Sequence, residues 1–225
     1  MSEKILIYHF TKKENLDTIF AQGLTPGTKY HTLGSRLRNG ANYFWNSPKN
    51  DLMGYMDNPT YVCLEISIDP HLCSIANMDI ASAAFVNFMM AKNGEALHDY
   101  TKLINLYDST AIPYHSYENG SFRAPEIIVS GVISHQNICI ADISTCLGRY
   151  TDNRNLYNDN LRKSINIAIE TAGEIFSNMQ AAIDYLEKLG KIKKVAQHDD
   201  STGLLLSYLI GDRFITIELG KQYLK

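Results

Sequence analysis

Nothing in the 225 residues approaches the roughly 20 consecutive apolar positions that a helix needs to cross a bilayer. The amino terminus, Met1-Ser2-Glu3-Lys4, passes directly into Ile5-Leu6-Ile7 and lacks the basic stretch, apolar stretch and small-residue cleavage site of a secretory signal. A cytoplasmic location is therefore expected, with secretion by a route that needs no cleaved signal left open. The four cysteines, Cys63, Cys73, Cys139 and Cys146, show no close pairing of the zinc or redox type and read as ordinary buried thiols. The seven histidines are scattered, none in a helix-spaced pair around a carboxylate, so no metal site is expected. A Gly-x-Gly-x-x-Gly sequence is missing, which removes the usual mark of a Rossmann dinucleotide site. There is no basic excess either. With a formal net charge of −3, any nucleic-acid role must rest on a local patch such as Lys29, Arg36 and Arg38.

What is present suits a packed protein: 45% of residues are hydrophobic and 20% charged. Residues 4 to 10 form a nearly continuous apolar and aromatic stretch, the pattern of a strand buried on both faces. Asn15, Leu16, Ile19 and Phe20 then take helical spacing up to Gly23. Residues 24 to 42 are turn-rich, and a loop of that length in a compact domain usually has a task. Tyr43-Phe44-Trp45 reads as a strand. Tyr61 to Ile68 alternates, with Val62, Leu64, Ile66 and Ile68 expected inward and Cys63 and Glu65 outward. Residues 79 to 107 read as helix interrupted near Asn93-Gly94, its apolar faces supplied by Phe85, Phe88, Met89, Leu97, Leu103 and Leu106. Tyr107 to Phe122 looks irregular, and Glu126 to Val129 is a short buried strand closed by Gly131.

Beyond about residue 150 the character changes, so the chain divides into 1–150 and 151–225. Asp152 to Asn160 reads as a polar connection. Ile165 to Leu189 follows as a long amphipathic helix with a break near Ser177-Asn178. Leu204 to Ile210 and Arg213 to Leu219 form a hairpin turned by Gly211-Asp212. The basic residues Lys188, Lys191, Lys193 and Lys194 favour a helix C-terminus, and they would also suit a phosphate backbone.

Three features carry chemistry. In Tyr8-His9-Phe10-Thr11, strand alternation puts His9 and Thr11 on one side, where two polar side chains can grip a ribose or an amide. A core histidine beside a helix-capping threonine is the plainer reading. Arg36 and Arg38 in the glycine-bounded loop precede Tyr43-Phe44-Trp45, and a guanidinium fork suits pyrophosphate oxygens while aromatics can stack on a flat ring. A solvated loop beside a core strand would look the same. In Arg123-Ala124-Pro125-Glu126-Ile127-Ile128-Val129, a carboxylate opens a buried strand, an expensive place for an idle charge; the plainer alternative is a buried ion pair.

In order and spacing these features resemble the DarT family of NAD-dependent DNA ADP-ribosyltransferases, over about residues 5 to 140. The closest segments are Tyr8-His9-Phe10-Thr11 through Gly23-Leu24, and Ala124 to Val129 through Ile138. Where the family has arginine-proline-methionine after the aromatic strand, this chain has Pro48-Lys49-Asn50-Asp51-Leu52-Met53. The resemblance implies an α+β fold in which an ADP-ribosyltransferase-like split β-sheet with flanking helices clasps NAD, followed here by the carboxy-terminal helix and hairpin. It implies Glu126 and Arg38 as the catalytic pair, with Arg36 as the second choice of arginine. His9, Phe10, Thr11, Asn15, Arg36, Tyr43 and Phe44 would line the NAD site, and no metal takes part. The stretch from Tyr107 to Phe122 would select the acceptor. That acceptor is expected to be a base in single-stranded DNA, in a toxin with a possible antitoxin partner, or else a protein modified by an effector. An RNA 2′-phosphotransferase and a non-enzymatic binding module stay open beside these.

Overall fold

Turn residues and apolar alternation divide the chain into strands and helices that build two antiparallel sheets. The computed structural model describes residues 3–26, 33–51, 53–144, 152–172, 178–199 and 203–220; Lys29, Cys146 and Ser177 lie outside the described residues. Strand β1 (Ile5–Lys12) leads through one 3₁₀ turn into helix α1 (Leu16–Gln22). The helix stops at Gly23, whose φ is 84° and where a Cβ would lie 2.3 Å from the Ile133 carbonyl oxygen. Only glycine fits there, and the close approach lets Leu24 and Ile133 pair as an isolated bridge. Strands β2 (Ala41–Trp45), β3 (Tyr61–Ile68) and β4 (Cys73–Asn77) follow, then helices α2 (Met78–Ala91) and α3 (Tyr100–Ser109). Asn77 and Asp99 cap these two helices by accepting from the amides of Asp79 and Thr101, at 3.1 and 2.8 Å. Strands β5 (Ile112–Pro113), β6 (Pro125–Ser130) and β7 (Ile138–Ile140) complete the first sheet.

Its seven strands run in the order β5-β4-β6-β2-β1-β3-β7. β1 pairs with β3 along all of Ile5–Lys12, yet meets β2 through one register pair, Tyr8 with Trp45. The sheet is thus two well-laddered blocks joined along a narrow seam. One face packs Ile7, Phe44, Leu64, Ile66, Ile75 and Ile127 against α1 and the Leu24–Ile133 bridge. The other packs Ala76 and Ile128 under α2 and α3, through Ile80, Ala83, Ala84, Leu103 and Tyr107.

The carboxy-terminal region holds α4 (Asp152–Ala172), α5 (Met179–Lys188) and a three-stranded sheet of β8 (Lys193–Asp199), β9 (Gly203–Ile210) and β10 (Arg213–Gly220). Tyr157, Leu161, Ile165, Ile183, Leu186 and Tyr208 form its own core. It also shares a core with the first sheet, because Val195 and Ala196 of β8 pack with Ala83 and Ala84. Asn87 Nδ2 donates to the Val195 carbonyl at 2.7 Å. A buried set of four charges spans the same boundary. Arg123 pairs with Asp79 and, at 3.3 Å, with Glu218, which Arg154 also meets at 3.0 Å. Gly120, at φ 87°, lies so close to α4 that a Cβ would come within 2.8 Å of Leu156 Cβ.

Several sequence expectations are corrected. Residues 152–160 are the opening turns of α4, not a connection: Asn153 is buried, accepts from the Tyr117 hydroxyl and the Gly120 amide, and donates to the Phe122 carbonyl. Phe85 and Met89 are exposed, since α2 turns Ile80, Ala83, Ala84 and Asn87 inward instead, and Leu97, between α2 and α3, is exposed too. Cys63 is buried, because the second face of β3 carries its own cluster, in which Cys63, Phe10 and Trp45 pack with Tyr55 and Met56. The Lys193–Lys194 stretch opens a strand, β8, that the sequence reading did not find. Asn178 does start a second helix, accepting from the Ala181 amide at 2.9 Å. No helix among the described residues is long and apolar enough to cross a membrane.

A chain ending near residue 150 would strip Glu218 from Arg123 and uncover Ala83 and Ala84. It is expected to be insoluble or non-cooperative in thermal unfolding; a monomeric, cooperatively folding fragment would show residues 151–225 to be a separate module. In the full chain, Glu218→Gln removes one partner of a buried charge set and should cost about 3–5 kcal/mol in urea denaturation.

Candidate active site

Glu126 is the second residue of β6, paired in register with Trp45 of β2 and Ala76 of β4. Registered partners in an antiparallel sheet share a face, so Tyr8, Trp45, Glu126 and Ala76 lie in one row across the seam. Only 4% of Glu126 is exposed, and a carboxylate so buried needs donors. Two residues supply them. Arg38 Nη2 lies 2.7 Å from Oε1 and 2.8 Å from Oε2, and the Tyr107 hydroxyl donates to Oε2. Arg38 Nε in turn donates to the Tyr107 hydroxyl at 3.4 Å. The guanidinium lies 4.8 Å from the Tyr43 ring centre and 5.3 Å from that of Tyr107, within cation–π range of both.

Charge and burial act together in this group. Burial disfavours the Arg38 cation, but the charge of Glu126 and the contact with Tyr107 outweigh it and raise the guanidinium above its already high value. Burial, with Glu126 adding to it, pushes the Tyr107 phenol far above its ordinary range, so the hydroxyl stays a donor. Burial also pushes Tyr43 up to about 12.

The segment bearing Arg38 is pinned from α3. Asp108 accepts from the Ser35 hydroxyl at 2.5 Å and from the Arg36 amide at 2.8 Å, while Ser35 Oγ accepts from the Arg38 amide at 3.2 Å. The Tyr43 hydroxyl donates to the Arg38 carbonyl. These bonds separate the two arginines of the loop. The Arg38 side chain is 19% exposed and turned onto Glu126; that of Arg36 is 89% exposed and meets Asp108 at 3.7 Å.

His9, Thr11 and Phe44 lie on the opposite face from Glu126, as strand alternation requires. The His9 ring turns across the seam, where Nδ1 meets the Tyr43 carbonyl at 3.0 Å. A carbonyl only accepts, so Nδ1 carries the proton and Nε2 keeps its lone pair. The side chain thereby serves a backbone group left unpaired where β1 and β2 diverge. His9 also packs against Phe44, ring centres 5.6 Å apart. Thr11 is buried and its Oγ1 accepts from Asn15 Nδ2 at 3.2 Å, linking the end of β1 to the start of α1. Phe10 is on the Glu126 face, in a cluster with Trp45 and Cys63, and lies 6.0 Å from the Tyr55 ring. Tyr55 stacks on Tyr61 at 4.4 Å, giving that face an aromatic wall on the β1 side of the seam.

The structure therefore joins Arg38, Tyr43 and Glu126, and leaves Arg36, Phe44 and the Thr11–Asn15 pair outside the group, with His9 on the opposite face meeting it through the Tyr43 carbonyl. Tyr107 and Asp108 were missed, having been read as the start of an irregular stretch. Asp99-Tyr100-Thr101 as a helix start, with Leu103, Ile104 and Tyr107 at helical spacing, could have extended α3 through them and turned Tyr107 inward. A scan against protein-family models, a search of curated proteins and a search of solved structures each found no match to this chain.

Burial lowers the His9 pKa below its ordinary 6.5, against a smaller raising effect of the Tyr43 carbonyl. The unfolded chain takes up this proton below about 6.5 while the folded protein refuses it, so stability is complete above that pH and is lost as pH falls below it. Denaturation between about pH 7 and 5.5 should show this decline, and His9→Gln should flatten part of it. Equal slopes in the two proteins would show that folding does not hold His9 neutral.

Proposed function

We propose that this chain is an NAD-consuming ADP-ribosyltransferase, similar to the DarT family, that modifies a base in single-stranded DNA. The observation that carries the reading is the meeting of Arg38 and Glu126, 88 residues apart in sequence, as a largely buried ion pair between two tyrosine rings. These are the two residues that the resemblance assigns to the pyrophosphate and to the reacting ribose. The narrow seam between β1 and β2 and the row of Tyr8, Trp45 and Glu126 across it support a ligand lying along that line.

The donor set fits a dinucleotide. Arg38 Nη1 makes no hydrogen bond among the described residues, so the guanidinium has a donor to offer a phosphate oxygen. His9 lies on the opposite face and would act only indirectly, by holding the Tyr43 carbonyl in place. Tyr43 and the wall of Phe10, Tyr55 and Tyr61 offer flat surfaces for stacking.

NAD supplies an ADP-ribosyl group whose anomeric carbon becomes positively charged as the bond to nicotinamide lengthens. Glu126 stabilises that charge and accepts a proton from the acceptor base. Arg38 neutralises and orients the pyrophosphate, fixing the angle at which the acceptor approaches. Tyr43 holds the Arg38 backbone through its hydroxyl and keeps water from one side of the guanidinium.

Incubation with NAD and single-stranded oligonucleotides, read by nicotinamide release and by mass spectrometry of the DNA, tests the reading. Glu126→Ala is expected to lower turnover by roughly 100- to 1,000-fold or more with the fold retained. Arg38→Ala should impair NAD use far more than Arg36→Ala, and Arg38→Lys should restore little, because a point charge does not replace a fork. Near-normal turnover in the Glu126 variant would remove the assignment. Adducts on lysate proteins but not on DNA would move the acceptor to protein.

A further inference from the structure

The reaction proposed above asks Arg38 to serve two anions in turn. It begins with Nη2 on Glu126 and, among the described residues, only Nη1 free; to grip a pyrophosphate with both arms of its fork it must turn Nη2 away, and Glu126 is then left buried with one donor fewer. The other donor is placed quite differently. Tyr107 is fully buried in α3, packed with Leu103, Ile104 and the alanines of α2. The end of that helix is tied down in its turn: Thr110 Oγ1 donates to the Tyr107 carbonyl at 2.7 Å and accepts from the Asn77 amide at 3.1 Å. Arg38, by contrast, sits on an irregular segment whose backbone is pinned by Asp108 and Ser35 while its long side chain reaches the surface in part.

We infer that Tyr107 is a positioning residue, which holds the Glu126 carboxylate in place while Arg38 turns from it to the dinucleotide. The inference rests on the proposed reaction for its purpose, but its structural content stands on the three side chains alone. Because α3 carries both Tyr107 and Asp108, one helix end fixes Glu126 and also the backbone of the arginine loop, leaving the Arg38 side chain as the moving part. The raised phenol pKa, caused first by burial, keeps the hydroxyl donating throughout.

A double-variant cycle tests the holding role without any substrate. Arg38→Met, Tyr107→Phe and the double variant are compared by scanning calorimetry. Each single variant leaves Glu126 one donor, so the fall in Tm of the double variant should exceed the sum of the two single falls. Failure of the double variant alone to fold is the same result at its limit. Additive falls would overturn the inference whether or not the protein consumes NAD. With NAD, Tyr107→Phe should lower kcat by about tenfold or more and leave KM within about twofold. Tyr43→Phe, which loosens the Arg38 backbone instead, should act mainly on KM. An unchanged kcat for Tyr107→Phe in an active enzyme would also overturn it. A wild-type protein that neither cleaves NAD nor binds ADP-ribose would remove the proposed function and leave the calorimetric cycle to decide the holding role.

Discussion

A carboxylate in the second position of a central strand, with apolar residues on either side of it in the chain, is costly to bury unless the protein brings donors to it. Glu126 obtains them from two distant segments, and much of the first sheet's surroundings is arranged so that it can. The irregular segment around Arg38 is held by Leu33 and Leu37 against the core under α2 and α3, and by Asp108, Ser35 and the Tyr43 hydroxyl. Helix α3 in turn is placed by alanine-rich packing beneath α2 and by its tie to the end of β4. The ion pair is the meeting point of these constraints, more than a contact added to a finished fold.

The same demand recurs three residues earlier. Arg123 is as buried as Glu126 and finds its partners on the other side, in Asp79 of α2 and Glu218 of β10. Pro125, without an amide hydrogen to satisfy, separates these two charged positions. The start of β6 is thus gripped from two directions, by the arginine loop at Glu126 and by the carboxy-terminal region at Arg123. Among the described residues, Arg123 and Arg154 are set against Asp79 and Glu218, two cations against two anions, a balance that favours their burial. Residues 151–225 consequently share both a core and a charge balance with the sheet that carries Glu126.

Local pattern carried much of this. Gly23, Gly131 and the Gly211-Asp212 turn mark real boundaries, and strands β1, β3 and β6 follow from runs of apolar residues. Arg38 and Glu126 stood out from residue type and order, and the geometry bears out the plainer reading of Glu126, a buried ion pair, which is the same pair the proposed reaction would use. What was illegible depends on what lies opposite. Phe85 and Met89 look like core residues until β8 is seen to pack on the other side of α2, against Ala83, Ala84 and Asn87. Four asparagines between 152 and 160 suggest a linker, yet Asn153 is buried because its amide completes the turn at Gly120. The role of Tyr107 depends on a carboxylate 19 residues away, which helical spacing alone cannot show.

The seam has a mechanical meaning as well. Where most sheets are firmest in the middle and fray at their edges, this one has its weakest connection between two central strands. Each block keeps its own ladder, so a small rotation of one against the other about Tyr8 and Trp45 breaks few hydrogen bonds. Slow breathing of the sheet should therefore concentrate along this internal line, with amide exchange least protected there and not at the rim. The plane of the sheet acts as two leaves on a pin, and the His9 ring is the washer between them.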